Sequence, residues 1–406
     1  MLCSNSCRET YVTIESEVLK VKSFEYANPT KIIFGEGAIE KLPRALEAFG
    51  KNVLLAYGKG AIKKEGIYYA VIKILADAGK TVTELSGIMP NPTAAKVREG
   101  VALCKENKVD FILAVGGGSV IDCCKAIAVG SLLEEDFWEV LYTRGEFATK
   151  ALPIGAVLTM VGTASEMNGF AVITNDEITV KSGFFSPAVY PKFSILDPTY
   201  TYSLPKYQMV SGICDILSHL MEAYFSGEDD NVSDDLNEAL MKSIIKNARI
   251  AVLNPQDYTA RSNIMWGATL ALNGSIGVGK TQDWEVHQIE HQLGAYYDVS
   301  HGMGLAAVTA SYFRLVFRSG LHKFRQYAVN VWGVESAGKT DEVIALEGIA
   351  RLEAFFKEIG ASTSLRELGI GDQTKLGEIA ESTNLLDAGY RQLTSADVKA
   401  ILEASF

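Results

Sequence analysis

Short apolar runs alternate with amphipathic stretches through the first half of the chain. Helical periodicity covers residues 37–49 and 94–107, between the first of the apolar runs. Strands that alternate with helices are typical of a parallel sheet with helices on its faces. The first half is therefore predicted to form an α/β, Rossmann-like dinucleotide-binding domain. The apolar runs predict its strands at residues 32–34, 53–57, 82–85, 111–115, 151–158, 170–173 and 193–196.

The pattern becomes persistently helical after Leu204 and Pro205. A chain of 406 residues also exceeds what one hydrophobic core usually supports. We therefore predict an extension at residues 1–22, the dinucleotide-binding domain at 23–200 and an all-helical domain at 201–406. The cleft between two such domains is a common place for metal and substrate. The helices are predicted at residues 211–225, 234–247, 260–272, 285–297, 305–316, 321–331 and 340–359.

Composition narrows the class of partner. A formal charge of −11 argues against nucleic acid, because binding to phosphate backbones depends on Lys and Arg. The apolar runs are shorter than the roughly 20 residues of a membrane-spanning helix, and no secretory signal is evident. The six cysteines are therefore interpreted as reduced thiols of a cytoplasmic protein. Small molecules are the expected partners.

A glycine-rich turn follows the predicted strand at residues 111–115. Gly116, Gly117 and Gly118 stand in succession, with Ser119 and a helical run at 123–129 behind them. Glycines let the backbone approach a phosphate closely, and the start of a helix offers free N–H groups to it. This turn is predicted to hold a pyrophosphate; a plain strand-to-helix turn is the alternative.

A second glycine turn, Gly58-Lys59-Gly60, follows the strand at residues 53–57. It is not the Rossmann fingerprint, because Lys63 occupies the third glycine position. An acidic side chain here would bind a free ribose 2′-hydroxyl and repel a 2′-phosphate, whereas this turn offers space and positive charge. The turn therefore favours NADP(H) over NAD(H), with ordinary loop composition as the alternative.

Four of the five histidines fall in two short stretches. Asp215 and His219 are four residues apart, as are His287 and His291, and His301 follows. Residues at that spacing share one face of a helix, so each pair can ligate one ion. A carboxylate with imidazoles suits Zn, Fe(II), Co or Mn, but spacing does not settle which three histidines ligate. In the first stretch, Glu222 is either a partner of the ligands or a surface ion-pair residue.

Several ordered motifs resemble the iron-containing (group III) alcohol dehydrogenase family, and within it the bacterial NADPH-dependent butanol dehydrogenases. The resemblance covers nearly everything from Phe24 onward. Besides the two metal segments, the motifs lie at residues 26–35, 57–60, 90–92, 116–122, 162–168 and 197–198. The resemblance implies a nucleotide-binding α/β domain, a helical domain and one divalent metal, Fe2+ or Zn2+, in the cleft between them.

Carried over by position, the resemblance assigns the metal to Asp215, His219, His287 and His301, and places His291 beside the nicotinamide and substrate. Ala61 stands where several NADPH-using relatives have a serine that helps hold the 2′-phosphate. The cofactor contacts implied by the resemblance and by the two turns are Gly58, Lys59, Gly60, Asn91, Gly117, Gly118, Ser119, Asp122, Thr159, Thr163, Lys181 and His291.

The predicted activity is hydride transfer between NADP(H) and a primary alcohol or aldehyde such as butanol or butanal, carried out by a homodimer. His291 is predicted to pass the alcohol proton, while the four ligands hold a Lewis-acidic metal. An NAD-dependent diol or glycerol dehydrogenase is the nearest alternative, and a lyase similar to dehydroquinate synthase is a remote one. Apolar residues that hint at a substrate pocket are Met160, Phe170, Trp284 and Tyr297.

Overall fold

The first half of the chain folds around a six-stranded sheet. The computed structural model describes residues 21–227 and 231–406. Its strands are β1 Lys31–Phe34, β2 Asn52–Tyr57, β3 Thr81–Leu85, β4 Phe111–Gly116, β5 Ile154–Leu158 and β8 Phe193–Leu196. All neighbouring strands in the sheet are parallel, in the order β1-β8-β5-β4-β2-β3. The predicted parallel sheet is therefore confirmed.

The strand predicted at residues 170–173 exists but does not join this sheet. It is β6, Phe170–Asn175, and it pairs antiparallel with β7, Val180–Phe185, in a separate two-stranded sheet. The β7 strand was not predicted, because Gly183 and the buried Lys181 interrupt its apolar pattern. The strand predicted at 151–158 begins at Ile154, directly after Pro153, whose nitrogen cannot donate to a sheet.

Helices cover both faces of the parallel sheet. On β4, Leu113 and Val115 join one apolar cluster, while Ile112 and Ala114 join the other. The side chains of a strand alternate between its two faces, so this division buries β4 completely. The helices of this half are α1 Leu42–Leu46, α2 Ala61–Lys64, α3 Ile67–Asp77, α4 Ala94–Glu106 and α5 Gly118–Gly130.

The second half is helical, as predicted. Every predicted helix is present, and two short ones near the C-terminus were not predicted. The exact division of the chain at residue 200 stays a prediction. The helices are α6 Lys206–Tyr224, α7 Val232–Leu253, α8 Tyr258–Ala271, α9 Glu285–Tyr297, α10 His301–Val316, α11 Leu321–Asn330, α12 Asp341–Ile359, α13 Leu376–Ser382 and α14 Ser395–Ala404.

Helix α6 is the central element of this half. It packs against α7, α8 and α10, and its residues from Met209 to Tyr224 are all buried. The first turns of α9 and α10 lie beside it: the backbone N–H of His287 donates to Glu222 Oε1, and a Cβ on Gly302 would lie 1.8 Å from Ser211 O. No described helix is long and apolar enough to cross a membrane. Cys3, Cys7 and most of the predicted extension lie outside the described residues, whereas Cys104, Cys123, Cys124 and Cys214 are buried free thiols.

Candidate active site

Four predicted ligands converge on one point. The Oδ1 atom of Asp215 lies 3.3 Å from Nε2 of His219, 3.7 Å from Nε2 of His287 and 3.5 Å from Nε2 of His301. Asp215 and His219 come from successive turns of α6, His287 from the first turn of α9, and His301 from the first residue of α10. The four side chains that spacing and resemblance selected are thus brought together.

The donor atoms at this point suit a metal ion. Asp215 Oδ1 and His287 Nε2 are buried, and neither has a hydrogen-bond partner among the described residues. Leaving such atoms unpaired is costly, and an ion at their meeting point would satisfy both. Burial lowers the pKa of His219 to about 3, so this imidazole is neutral, as a ligand must be. One carboxylate and three imidazoles therefore fit a divalent transition metal.

Glu222 orients one of these imidazoles. Its carboxylate contacts Nδ1 of His287 and also accepts a hydrogen bond of 3.1 Å from the backbone N–H of His287. The contact at Nδ1 leaves Nε2 facing the other ligands. Glu222 is buried. The sequence left two interpretations of Glu222 open. The structure supports the one in which Glu222 is a partner of a predicted ligand, and the interpretation as a surface ion-pair residue is wrong.

Glu290 performs the same task for His301, and the sequence did not reveal it. Its carboxylate contacts Nδ1 of His301, and the ammonium of Lys181 lies 3.1 Å from Glu290 Oε2. The Nζ atom of Lys181 is also 3.5 Å from His301 Nδ1. Lys181, predicted near the cofactor ribose, thus forms an ion pair with a buried carboxylate that contacts a predicted metal ligand. The one available signal was an acidic residue three positions after His287 on the same helix.

His291 lies beside the four ligands without joining them. Its ring centre is 6.2 Å from that of His287 and 5.8 Å from that of His301. Burial and the nearby Lys181 ammonium hold the pKa of His291 well below its usual value. The imidazole is therefore neutral and faces the adjacent cavity. This placement agrees with the separate role predicted for His291, which stays a prediction.

A cavity of about 470 Å³ opens between the helical half and the β6-β7 sheet. Phe170, Trp284, Leu272 and Leu386 supply apolar lining, whereas Met160 and Tyr297, also considered for a pocket, are outside it. The predicted site residues in its lining are Asn91, Ser119, Asp122, Thr163, Lys181, His219, His287, His291 and His301.

The glycine turn after β4 is tightly built. A Cβ atom on Gly118 would lie 2.2 Å from Thr163 Oγ1, and one on Gly117 would lie 2.9 Å from Met160 Cβ. Helix α5 starts at Gly118 without a side-chain cap, so its first N–H groups stay available. A cradle that only glycine fits, at an uncapped helix start, suits a phosphate.

Asp122 is held by protein groups although it lines the cavity. Its carboxylate accepts a hydrogen bond of 2.5 Å from Ser165 Oγ and one of 3.0 Å from the backbone N–H of Val172. In this arrangement Asp122 connects helix α5 to β6. A direct contact with the cofactor, implied by the resemblance, stays a prediction.

The remaining predicted cofactor residues lie along the C-terminal edge of the parallel sheet. Tyr57 and Val115 are register partners at the ends of β2 and β4, so the turn at residues 58–60 is next to the turn at 116–118. The backbone N–H of Thr159 donates to Gly116 O at 3.0 Å. Ligands commonly bind outside the carboxyl ends of parallel strands. An extended dinucleotide along this edge would reach the cavity at Ser119.

Comparisons with known proteins agree with this geometry. The family model described as iron-containing alcohol dehydrogenase matches residues 29–198, and that of the C-terminal domain of the same family matches residues 209–406. The chain is 45% identical over 388 residues to probable NADH-dependent butanol dehydrogenase 1 of Bacillus subtilis, covering 95% of this chain and 100% of the relative. It is 38% identical over 353 residues to the NADPH-dependent aldehyde reductase YqhD of Escherichia coli, covering 86% and 90%.

A solved structure shows the same fold. NADH-dependent butanol dehydrogenase A from Thermotoga maritima superposes with a TM-score of 0.91 at 39% identity. The match covers 95% of this chain and 99% of that one. The similarity of fold therefore extends through both halves of the molecule.

Proposed function

The chain belongs to the iron-containing alcohol dehydrogenase family and is an alcohol and aldehyde oxidoreductase, and on that premise we propose that Asp215, His219, His287 and His301 hold one Fe2+ or Zn2+ ion. The convergence of three imidazole nitrogens on Asp215 Oδ1 carries this proposal. When bound, such an ion supplies Lewis-acid polarisation of an alcohol or carbonyl oxygen.

The protein's own groups orient the reactants and handle the proton. Glu222 and Glu290 direct the Nε2 atoms of His287 and His301 toward Asp215. His291 lines the cavity, and an imidazole there can give a proton to the product alcohol or take one from the substrate alcohol. The two halves of the chain enclose the cavity between them, which favours reaction by holding substrate and nicotinamide together.

We propose primary alcohols and aldehydes such as butanol and butanal as substrates. The surface of the cavity adjoining the histidines is mostly apolar, with Phe170, Leu272 and Leu386 in its lining, which suits an alkyl chain bearing one oxygen. The names of the relatives from Bacillus subtilis and Escherichia coli agree with this class. Loss of reduced nicotinamide absorbance with butanal, before and after removal of metal by a chelator, tests it. Equal rates before and after would contradict metal-dependent catalysis.

For the nicotinamide cofactor we propose a preference for NADP(H) over NAD(H). Gly58 has no side chain, and Lys59 is exposed beside it. The Glu84 side chain, on the neighbouring strand β3, is held within the protein: its oxygens accept hydrogen bonds from Tyr57 Oη at 2.5 Å and Tyr68 Oη at 2.8 Å. A 2′-phosphate at this turn would have the positive charge of Lys59 beside it and no side chain at Gly58 to clash with.

The relatives' names disagree on this point: those from Bacillus subtilis and Thermotoga maritima are NADH-dependent, whereas that from Escherichia coli is NADPH-dependent. The decisive measurement is kcat/KM for NADPH and for NADH at saturating butanal. A higher value for NADPH supports the proposal, and a higher value for NADH overturns the cofactor preference without touching the alcohol dehydrogenase assignment. Comparing butanol with 1,3-propanediol and glycerol in the same assay tests the alternative diol or glycerol dehydrogenase.

A further inference from the structure

Trp284 has a backbone conformation that bulky side chains rarely adopt. Its φ of 64° and ψ of 8° lie in the left-handed region, immediately before α9 begins. For a residue with a large side chain this conformation is strained, and it persists only when the surroundings impose it. Such strain is concentrated at functional sites, so the neighbours of Trp284 indicate what the conformation achieves.

The conformation places the indole beside two metal ligands. The indole centre is 5.1 Å from the ring of His287 and 5.9 Å from the ring of His219. Trp284 also lines the cavity together with Leu272 and Leu386. The indole therefore forms part of the apolar wall directly next to the end where the ligands meet.

The backbone on either side of Trp284 is fastened by buried groups. The backbone N–H of Asp283 donates to Glu222 O at 3.1 Å, and an oxygen of the Asp283 carboxyl group accepts a hydrogen bond from the hydroxyl of Tyr312. On the other side, Glu285 Oε1 accepts a hydrogen bond of 2.8 Å from the backbone N–H of Leu386. Asp283 and Glu285 are both buried, so the peptide units that flank Trp284 are held in place.

The indole itself is anchored as well. Its Nε1–H donates to Gln282 Oε1 at 2.9 Å. Gln282 is packed so closely against Gly277 that a Cβ on that glycine would lie 1.8 Å from Gln282 Nε2. A tryptophan held at both its backbone and its Nε1 cannot swing away readily when a longer substrate enters.

We propose that Trp284 is a specificity-determining residue that limits the length and bulk of the aldehyde or alcohol chain. The inference rests on the proposed alcohol and aldehyde activity of the same cavity. A rigid indole next to the metal ligands restricts the space for carbon atoms beyond a short chain, whereas a small residue would extend the cavity. The flanking contacts of Asp283 and Glu285 position the indole and are not themselves part of the wall.

The test uses Trp284→Gly and Trp284→Ala in the metal-loaded full chain. Glycine adopts a positive φ without strain, so Trp284→Gly should melt at a higher temperature than Trp284→Ala. Trp266→Ala is the matched control, because this tryptophan is 40% exposed on α8 and contacts Phe34 edge-to-face outside the cavity. The readout is kcat/KM for linear aldehydes of increasing length from acetaldehyde to decanal.

The ratio of kcat/KM for octanal to that for butanal should rise by at least about tenfold in Trp284→Gly, as expected when methylene groups gain a pocket. It should stay at the wild-type value in Trp266→Ala. A general loss of structure lowers both values together and leaves the ratio unchanged. If the wild type is active and metal-loaded Trp284→Gly keeps the wild-type ratio, the inference fails and the proposed function stands. A wild type that reduces none of the aldehydes overturns both.

Discussion

The Glu290 carboxylate contacts Nδ1 of His301, while Nε2 of the same imidazole lies 3.5 Å from Asp215 Oδ1. Glu290 therefore fixes which nitrogen of His301 faces the proposed metal. Replacing a carboxylate that orients a ligand histidine usually weakens metal binding about 10- to 100-fold. We expect that loss in Glu290→Gln, measured as the dissociation constant for Zn2+ in competition with a coloured chelator.

Two further variants complete this test. Glu222→Gln should weaken Zn2+ binding similarly, because Glu222 contacts Nδ1 of His287 in the same way. Glu358→Gln is the control, since Glu358 is half exposed and pairs with Arg249 on the surface. A dissociation constant in Glu290→Gln equal to that of the control would show that Glu290 does not orient the ligand.

The histidines are expected to divide into two classes when each is replaced by alanine. His219→Ala removes a donor nitrogen 3.3 Å from Asp215 Oδ1, so both bound metal and activity should be lost. His291→Ala should retain one metal ion per chain while kcat falls about 100-fold, the usual contribution of a positioned proton donor or acceptor. Metal content by atomic emission, beside turnover with butanal, checks both. Full metal content and rate in His219→Ala would reject the ligand assignment.

The proposed metal-ligand cluster could be predicted from the sequence because helical periodicity fixes part of its geometry. A spacing of four residues places Asp215 and His219 on one face before any tertiary contact is known. The ion pair between Lys181 and Glu290 could not be predicted from periodicity, since β7 and α9 meet only in the folded chain. Buried ion pairs between distant segments leave no periodic signal. Their existence explains why a lysine interrupts the pattern of β7.

The composition of the parallel sheet was also only partly predictable from the sequence. Continuous apolar runs predicted the buried parallel strands, since strands covered on both faces are apolar throughout. The run at residues 170–173 is apolar in the same way, yet it does not enter the parallel sheet. Its strand β6 pairs with β7 because the backbone N–H of Val172 donates a hydrogen bond to Asp122 and β6 packs over α5. Which sheet a short strand enters is decided by such contacts, and pattern alone does not contain them.

Dinucleotide binding should be sensitive to one methyl group at Gly118. In Gly118→Ala the new Cβ would lie 2.2 Å from Thr163 Oγ1, so the turn that is proposed to hold the pyrophosphate must shift. Overpacking of this kind costs about 1–3 kcal/mol, and we expect the NADPH dissociation constant to rise about tenfold or more. Fluorescence titration measures it, with metal content as a check on folding.

Gly118→Ala should weaken NADPH binding less in a Thr163→Ala background than in the wild type, because the Oγ1 atom that the new methyl group meets is gone. Thr163→Ala alone is the reference, since it accounts for any contact that Thr163 makes with the cofactor. Gly377→Ala is the matched control: a Cβ on that helical glycine has no neighbour within 4 Å. Unchanged affinity in the single variant would show that the turn does not contact the cofactor.

Stability should depend on pH through Asp283. Burial, reinforced by the charge of Glu222, raises the pKa of the Asp283 carboxyl to about 8. The folded chain then keeps a proton that the unfolded chain releases above its ordinary pKa of about 4, so the stabilisation is complete below that pH and is lost as pH rises toward 8. Asp283→Asn carries no such proton. Its free energy of unfolding relative to wild type should therefore rise by at least about 1 kcal/mol between pH 5 and 8, measured by urea titration of metal-loaded protein.

The control for this prediction is Asp235→Asn, which makes the same charge change at an exposed position. Its free energy of unfolding should differ from that of the wild type by the same amount at every pH. The same constant difference for Asp283→Asn would mean that the buried carboxyl ionises normally.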